Sequence, residues 1–132
     1  MPVKVEKLPD EPIIVLTYTG HMDVELVKSA FLQSAELAAH IEGPIYRISD
    51  VRQGEGDFVD VMKIIAEVRK GVPGSSADPR IKVVFVGSHH MARLYADFLQ
   101  KQQYGAKMIP FFHTPEEALA YIRLDMANME TT

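Results

Sequence analysis

Cysteine is absent from this sequence of 132 residues. Its absence excludes disulfide bonds, thiolate nucleophiles, iron–sulfur clusters and cysteine-based zinc sites. Long apolar runs are also absent, and the first residues lack the apolar core of a signal peptide. We therefore expect a cytoplasmic protein that does not insert into a membrane.

Basic residues are fewer than acidic residues in this chain. The chain carries 14 lysines and arginines against 18 aspartates and glutamates, a net charge of −4, which gives little electrostatic attraction for nucleic acid. The sequence also lacks the spacings that mark common catalytic and cofactor sites, including HExxH, GxGxxG, GxSxG and the lysine-containing phosphate loop. We therefore predict no metal, no cofactor and no nucleic-acid partner.

Short β-branched runs alternate with helical periodicities along the chain, whose length is that of one domain over residues 1–132. Pro110 removes a ladder donor, so the last strand is expected at a sheet edge. An initial edge strand followed by four βα units predicts an α/β fold with a mixed, mostly parallel sheet. Strands are predicted at 3–8, 13–18, 45–50, 81–86 and 108–112, and helices begin at Asp23, Asp57, Ser88 and Thr114.

The segment between the second core strand and the next helix is punctuated by glycine. Residues 53–56 read Gln-Gly-Glu-Gly, a composition typical of a loop. Asp57 then suits the N-cap of the helix that follows. The sequence therefore predicts that this strand ends at Asp50.

Three features of this order resemble the SpoIIAA-like fold shared by STAS domains. They are the early strand pair, the strand at 45–50 that leads through a loop to a helix, and a closing strand–turn–helix module at 108–122 whose segment IPFFHTPEEA is similar to the end of such domains. The resemblance implies four βα units in a right-handed superhelix. It also implies a non-enzymatic binding or regulatory module that acts through protein–protein contacts, as a homodimer and with a regulatory protein partner.

STAS domains that regulate sigma factors carry a phosphorylatable serine or threonine where the second core strand passes into the next helix. The matching stretch, residues 50–58, contains neither, and Asp57 falls near the phosphoacceptor position. The resemblance therefore implies a module without this phosphorylation switch. Its working surface is expected at the loop and the second helix, where the partner-binding candidates are Arg52, Glu55, Asp57, Phe58 and, as a homodimer contact off the main apolar stripe, Ile64.

An alternative hypothesis places function at the carboxyl ends of the strands, where ligands bind in open parallel sheets. It predicts a small-molecule or lipid-binding domain, or a minor enzyme, with a polar pocket of histidine and aspartate. Histidine is also common in loops, and Ser88 suits a helix N-cap, so each residue has a structural explanation as well. The ligand-binding candidates are Tyr18, His21, Asp50, Arg52, Ser88, His89 and His113.

Overall fold

The computed structural model describes residues 3–55, 80–88, 90 and 110–130. The helices predicted to begin at Asp57 and Ser88 lie outside these residues, apart from a helical position at His90. The described elements are β1 (Val3–Lys7), β2 (Ile13–His21), α1 (Val24–Ala38), β3 (Ile45–Glu55), β4 (Ile81–Val86), β5 (Phe111–Phe112) and α2 (Pro115–Glu130). Of the helices in these ranges, neither is long and apolar enough to cross a membrane.

The five strands form one sheet in the order β1-β2-β3-β4-β5. β1 is antiparallel to β2, and every other neighbouring pair is parallel. The α/β class and the mixed, mostly parallel sheet with an N-terminal edge strand are therefore confirmed. Among the described strands β5 lies at the opposite edge, as Pro110 predicts, because a residue without an N–H is tolerated at an edge.

Side chains alternate along the strands and build a core on each face of the sheet. The α1 face combines strand residues with the inner side of α1, and the α2 face does the same with α2. Buried residues of the α1 face include Ile14, Leu16, Tyr18, Val27, Ala30, Phe31, Val51 and Phe85. Those of the α2 face are Ile13, Tyr46, Ile48, Val84, Val86, Ala118 and Ile122.

The start of α1 is confirmed, because the Asp23 carboxylate accepts a hydrogen bond of 2.8 Å from a backbone N–H three residues further on. The helix ends at Ala38. Gly43, in the loop that leads into β3, adopts the left-handed conformation with φ of +80°. The Arg80 guanidinium donates to the carbonyl oxygens of Ile41 (2.5 Å) and Gly43 (3.2 Å), which ties this loop to the start of β4.

The start of α2 is also confirmed. Thr114 is its N-cap, and the Thr114 Oγ1 accepts a hydrogen bond of 3.1 Å from the Glu117 backbone N–H. The Thr114 hydroxyl in turn donates to the Glu117 carboxylate at 3.2 Å. Ala118 and Ile122 are buried against the sheet, whereas Tyr121 is 40% exposed.

The predicted end of β3 at Asp50 is wrong, because the strand continues to Glu55. β2 is also longer than predicted, and its last three residues pair with residues 53–55 of β3. Pairing with a neighbouring strand outweighs the weak β-propensity of glycine at positions 20 and 54. We call these three register pairs, residues 19–21 with 53–55, the β2–β3 extension.

Candidate functional site

The β2–β3 extension projects beyond the rest of the sheet. The last pair between β3 and β4 joins Asp50 to Val86, whereas β3 stays paired with β2 as far as Glu55. The side chains of His21 and Gln53 on the extension are exposed. The chain therefore displays a two-stranded parallel ribbon at the carboxyl end of the sheet, where the function of this fold class is usually found.

A β-bulge separates the extension from the body of the sheet. Thr17 pairs with Asp50 and Thr19 pairs with Gln53, so β3 carries one more residue than β2 between these pairs. Such an insertion bends the strand and leaves a backbone group out of the ladder. Bulges are common next to functional sites because they redirect the side chains that follow.

Asp50 and Arg52 bind each other across this bulge. The Asp50 Oδ1 accepts hydrogen bonds from the Arg52 backbone N–H (3.1 Å) and Nε (3.0 Å), and Oδ2 accepts one from Nη2 at 2.9 Å. The Asp50 side chain is 7% exposed and the Arg52 side chain 39%. The hydrogen bond that Arg52 donates to Asp50, with smaller contributions from the charges of Asp50 and Glu116, raises the pKa of Arg52. We call this pair the Asp50–Arg52 clasp. It gives the Arg52 backbone N–H at the bulge an acceptor, and its positive and negative charges balance each other.

Two glycines pair directly with each other within the extension. Gly20 has φ of +74°, a left-handed conformation that favours glycine. A Cβ atom at Gly54 would lie 2.9 Å from the Sδ of Met22, which is buried beside it. Gly54 therefore permits the close approach of Met22, which lies between β2 and α1, whereas Gly20 supplies the left-handed backbone conformation.

Tyr18 and Asp50, both predicted at a shared pocket, lie on opposite faces of the sheet. Tyr18 is buried in the α1 face, where loss of solvation raises its pKa to about 12. Asp50 shares the α2 face, because it is two residues beyond Ile48 on the same strand. These two side chains therefore cannot contact one ligand without crossing the sheet.

The two described histidines of the predicted pocket also lie far apart. His21 ends β2 and is exposed, whereas His113 follows β5 and is half-buried. Two strands separate β2 from β5, so the spacing across the sheet is roughly 14 Å at about 4.8 Å per strand. The His113 Nδ1 lies 3.3 Å from the carbonyl oxygen of Gly87, a contact that orients the ring as a donor to the backbone.

Of the remaining predicted residues, two lie within the described ranges and four lie outside them. Ser88 is exposed after β4, and Glu55 is the last residue of β3. His89, Asp57, Phe58 and Ile64 lie outside the described residues. Across the described ranges, no three histidine, aspartate or glutamate side chains come together as metal ligands would.

The sequence analysis missed a charged side chain in the core. Arg47 is 1% exposed in the middle of β3, and its guanidinium carbon lies 4.4 Å from the centre of the Phe31 ring. A cation over an aromatic face is stabilised by the quadrupole of the ring. No sequence signal identifies this position, since arginine on a strand is usually exposed and Phe31 lies on a different element.

A second missed cluster joins α2 to the sheet. Tyr46 and Lys82 are register partners on β3 and β4, and both donate to the Asp125 carboxylate, Lys82 at 3.2 Å. The hydrogen bond from Tyr46 lowers the pKa of Asp125, with a smaller contribution from Lys82. The sulfur of Met129 lies 3.4 Å from the Tyr46 hydroxyl and 3.3 Å from the Lys82 ammonium. This group of four residues is the Tyr46 cluster below.

Comparison of the chain with protein-family models, with curated proteins and with solved structures found no match.

Proposed function

We propose that this chain is a non-enzymatic binding or regulatory module that acts through contacts with another protein, as its resemblance to STAS domains implies. The observation that carries the proposal is the β2–β3 extension, which projects past the end of β4 with exposed side chains at His21 and Gln53. The Asp50–Arg52 clasp at the bulge and the close approach of Met22 to Gly54 support this ribbon. A preorganised surface favours recognition because little freedom is lost on binding.

The arrangement of polar side chains favours binding over catalysis. A nucleophile and its base, or an acid and base acting together, must lie within hydrogen-bonding distance of each other or of one substrate atom. Among the described candidates, Tyr18 and Asp50 lie on opposite faces, and His21 and His113 lie three strand spacings apart. The one direct contact between candidates, Asp50 with Arg52, leaves the carboxylate committed to three hydrogen bonds.

Site-specific photo-cross-linking tests this proposal in the cells that natively produce the chain. A photoreactive phenylalanine replaces Gln53 on the extension, and in a matched control it replaces Lys28, an exposed residue of α1. We expect one identified protein, which includes a second copy of this chain, to be linked through position 53 and not through position 28. His21→Glu should lower the yield, because it introduces charge beside the cross-linker, whereas Glu36→Lys on α1 should leave the yield unchanged.

The contrary results are equally specific. The same products at positions 53 and 28, or no product at position 53, would overturn the assignment of the extension as the binding surface. A small molecule that copurifies with the chain, and is lost on His113→Ala but retained on His21→Glu, would replace the proposal with the ligand-binding alternative.

A further inference from the structure

Met129 has a polar environment that is unusual for a methionine. It lies in the last turn of α2 with 43% of its surface exposed. Its Sδ is 3.3 Å from the Lys82 ammonium and 3.4 Å from the Tyr46 hydroxyl. Both of these donors also bind Asp125, so the carboxylate keeps them next to the sulfur. An accessible thioether therefore has a positioned proton donor beside it.

We propose that Met129 is a site of oxidation by hydroperoxides and that Lys82 supplies the proton that the reaction requires. A sulfur lone pair attacks the distal oxygen of the peroxide, which forms the S–O bond and breaks the O–O bond. The departing oxygen takes a proton from the Lys82 ammonium and leaves as water or an alcohol. The hydroxysulfonium then returns its proton to the lysine amine. The sulfur is oxidised to the sulfoxide and the peroxide is reduced, with no net change in protons.

The other described methionines lack this combination of access and a donor. Met22 is 4% exposed and packs beside Gly54 on the α1 face. Met126 is partly buried against the α2 face, one turn of α2 before Met129. Met126 therefore serves as an internal reference, since it shares the helix and the solution with Met129 but has no hydrogen-bond donor at its sulfur among the described residues.

Lys82 would also retain the product in place. Oxidation converts an apolar thioether into a polar sulfoxide, whose oxygen is a stronger hydrogen-bond acceptor. The Lys82 ammonium has three N–H donors and lies within hydrogen-bonding distance of the sulfur, so it can donate to that oxygen and to Asp125 together. The last turn of α2 therefore remains attached to the sheet after oxidation, and methionine sulfoxide reductases can reverse the change.

The test treats the whole chain with dilute hydrogen peroxide and measures the oxidation rates of Met129 and Met126 by peptide mass spectrometry. In Lys82→Gln, which retains most of the side chain but not its ammonium, we expect the ratio of the two rates to fall by about threefold or more. This is well below the roughly 100-fold effect of a fully positioned proton donor. Lys28→Gln on α1 is the matched control and should leave the ratio unchanged.

If solvent exposure alone controlled the oxidation rate of Met129, substitutions at Lys82 would raise that rate rather than lower it. Lys82→Ala uncovers Met129, so oxidation governed only by access should become faster, whereas oxidation that depends on the ammonium should become slower. A ratio that rises or stays the same in both Lys82 variants would overturn the proposal. Far-ultraviolet circular dichroism and Tm show whether each variant is folded. The rate ratios are compared only among variants whose Tm lies within a few degrees of the parent's.

Discussion

The two halves of β3 behave as different structures although they belong to one strand. In the inner half, residues 45–50, all six residues are buried and paired with β4, and residues 46–50 are paired with β2 as well. In the outer half, residues 51–55, only residues 53–55 are paired, with β2 among the described strands, and the half includes exposed positions at Arg52 and Gln53. One strand can therefore contribute to the core and also present a surface, provided that the backbone groups at the junction between its halves have hydrogen-bond partners.

Asp50 provides the hydrogen-bond acceptor at this junction. It is the last residue of β3 that has a partner on β4, and its carboxylate accepts a hydrogen bond from the Arg52 backbone N–H at the bulge. An unsatisfied backbone donor near the core is costly, so a side-chain acceptor at this point stabilises the strand after its neighbour ends. The following predictions test the contrast between the halves, beginning with the largest effect.

Shortening a side chain in the inner half should be strongly destabilising. Ile48 is buried in the α2 face at the centre of the sheet, so Ile48→Ala removes packing and leaves a cavity. We expect the free energy of unfolding to fall by about 3 kcal/mol, measured by urea denaturation. Gln53→Ala in the outer half is the control, and we expect a change within about 0.5 kcal/mol. Similar losses for the two variants would remove the distinction between the halves.

Removing the clasp should have an intermediate effect. Asp50→Ala leaves the Arg52 backbone N–H without its acceptor and eliminates two further hydrogen bonds to the guanidinium. We expect a loss of about 1–2 kcal/mol, mainly the cost of leaving a partly buried backbone donor unsatisfied. Amide hydrogen exchange should accelerate at residues 51–55 more than at residues 45–50.

Arg52→Ala separates the two functions of the Asp50 carboxylate. This variant retains the backbone N–H bond and removes only the partly exposed guanidinium, so its destabilisation should be smaller than that of Asp50→Ala. Equal losses, or uniform exchange rates along β3, would contradict the role of the carboxylate at the bulge.

The smallest expected effect is a pH dependence that belongs to the inner half. The hydrogen bond from Tyr46 holds the pKa of Asp125 below its ordinary value of 3.8. A carboxyl group whose pKa is lower in the folded state contributes stability above its unfolded pKa, and this contribution is lost as the pH falls through the folded pKa. Tyr46→Phe should therefore weaken the loss of stability below about pH 4, as measured by Tm across that range.

The control for this prediction lies on the same helix. Glu117 is exposed and binds the hydroxyl of the N-cap Thr114, outside the Tyr46 cluster. Glu117→Gln should not change the part of the acid-induced loss of stability that depends on Tyr46. If Tyr46→Phe and the parent lose stability identically between pH 4 and pH 2, the coupling between Tyr46 and Asp125 is wrong.

Much of the framework could be predicted from local signals. The β-branched runs identify the strand centres, and the caps at Asp23 and Thr114 identify the starts of both described helices. Pro110 correctly indicates an edge strand, because a missing N–H is a property of the residue itself. Each of these features depends on a residue and its immediate neighbours in the chain.

The arrangement of the site could not be predicted in the same way. The outer half of β3 forms because β2 continues beside it, a contact between segments more than thirty residues apart. The clasp depends on a bulge, which shifts the register between two strands and leaves no pattern in either one alone. Arg47 is buried because Phe31 lies beneath its guanidinium, and an aromatic on another element is invisible to a local pattern.

The consecutive order of the strands has a consequence for synthesis. Since each strand from β2 to β5 is added beside the one before it, the sheet can grow at a single advancing edge while the chain leaves the ribosome. The other edge is occupied by the antiparallel β1, whose charged side chains at Lys4 and Glu6 discourage pairing with another chain. Among the described strands, a nascent chain therefore presents one templating edge to its surroundings at a time, and the short β5 after Pro110 is the last strand added there.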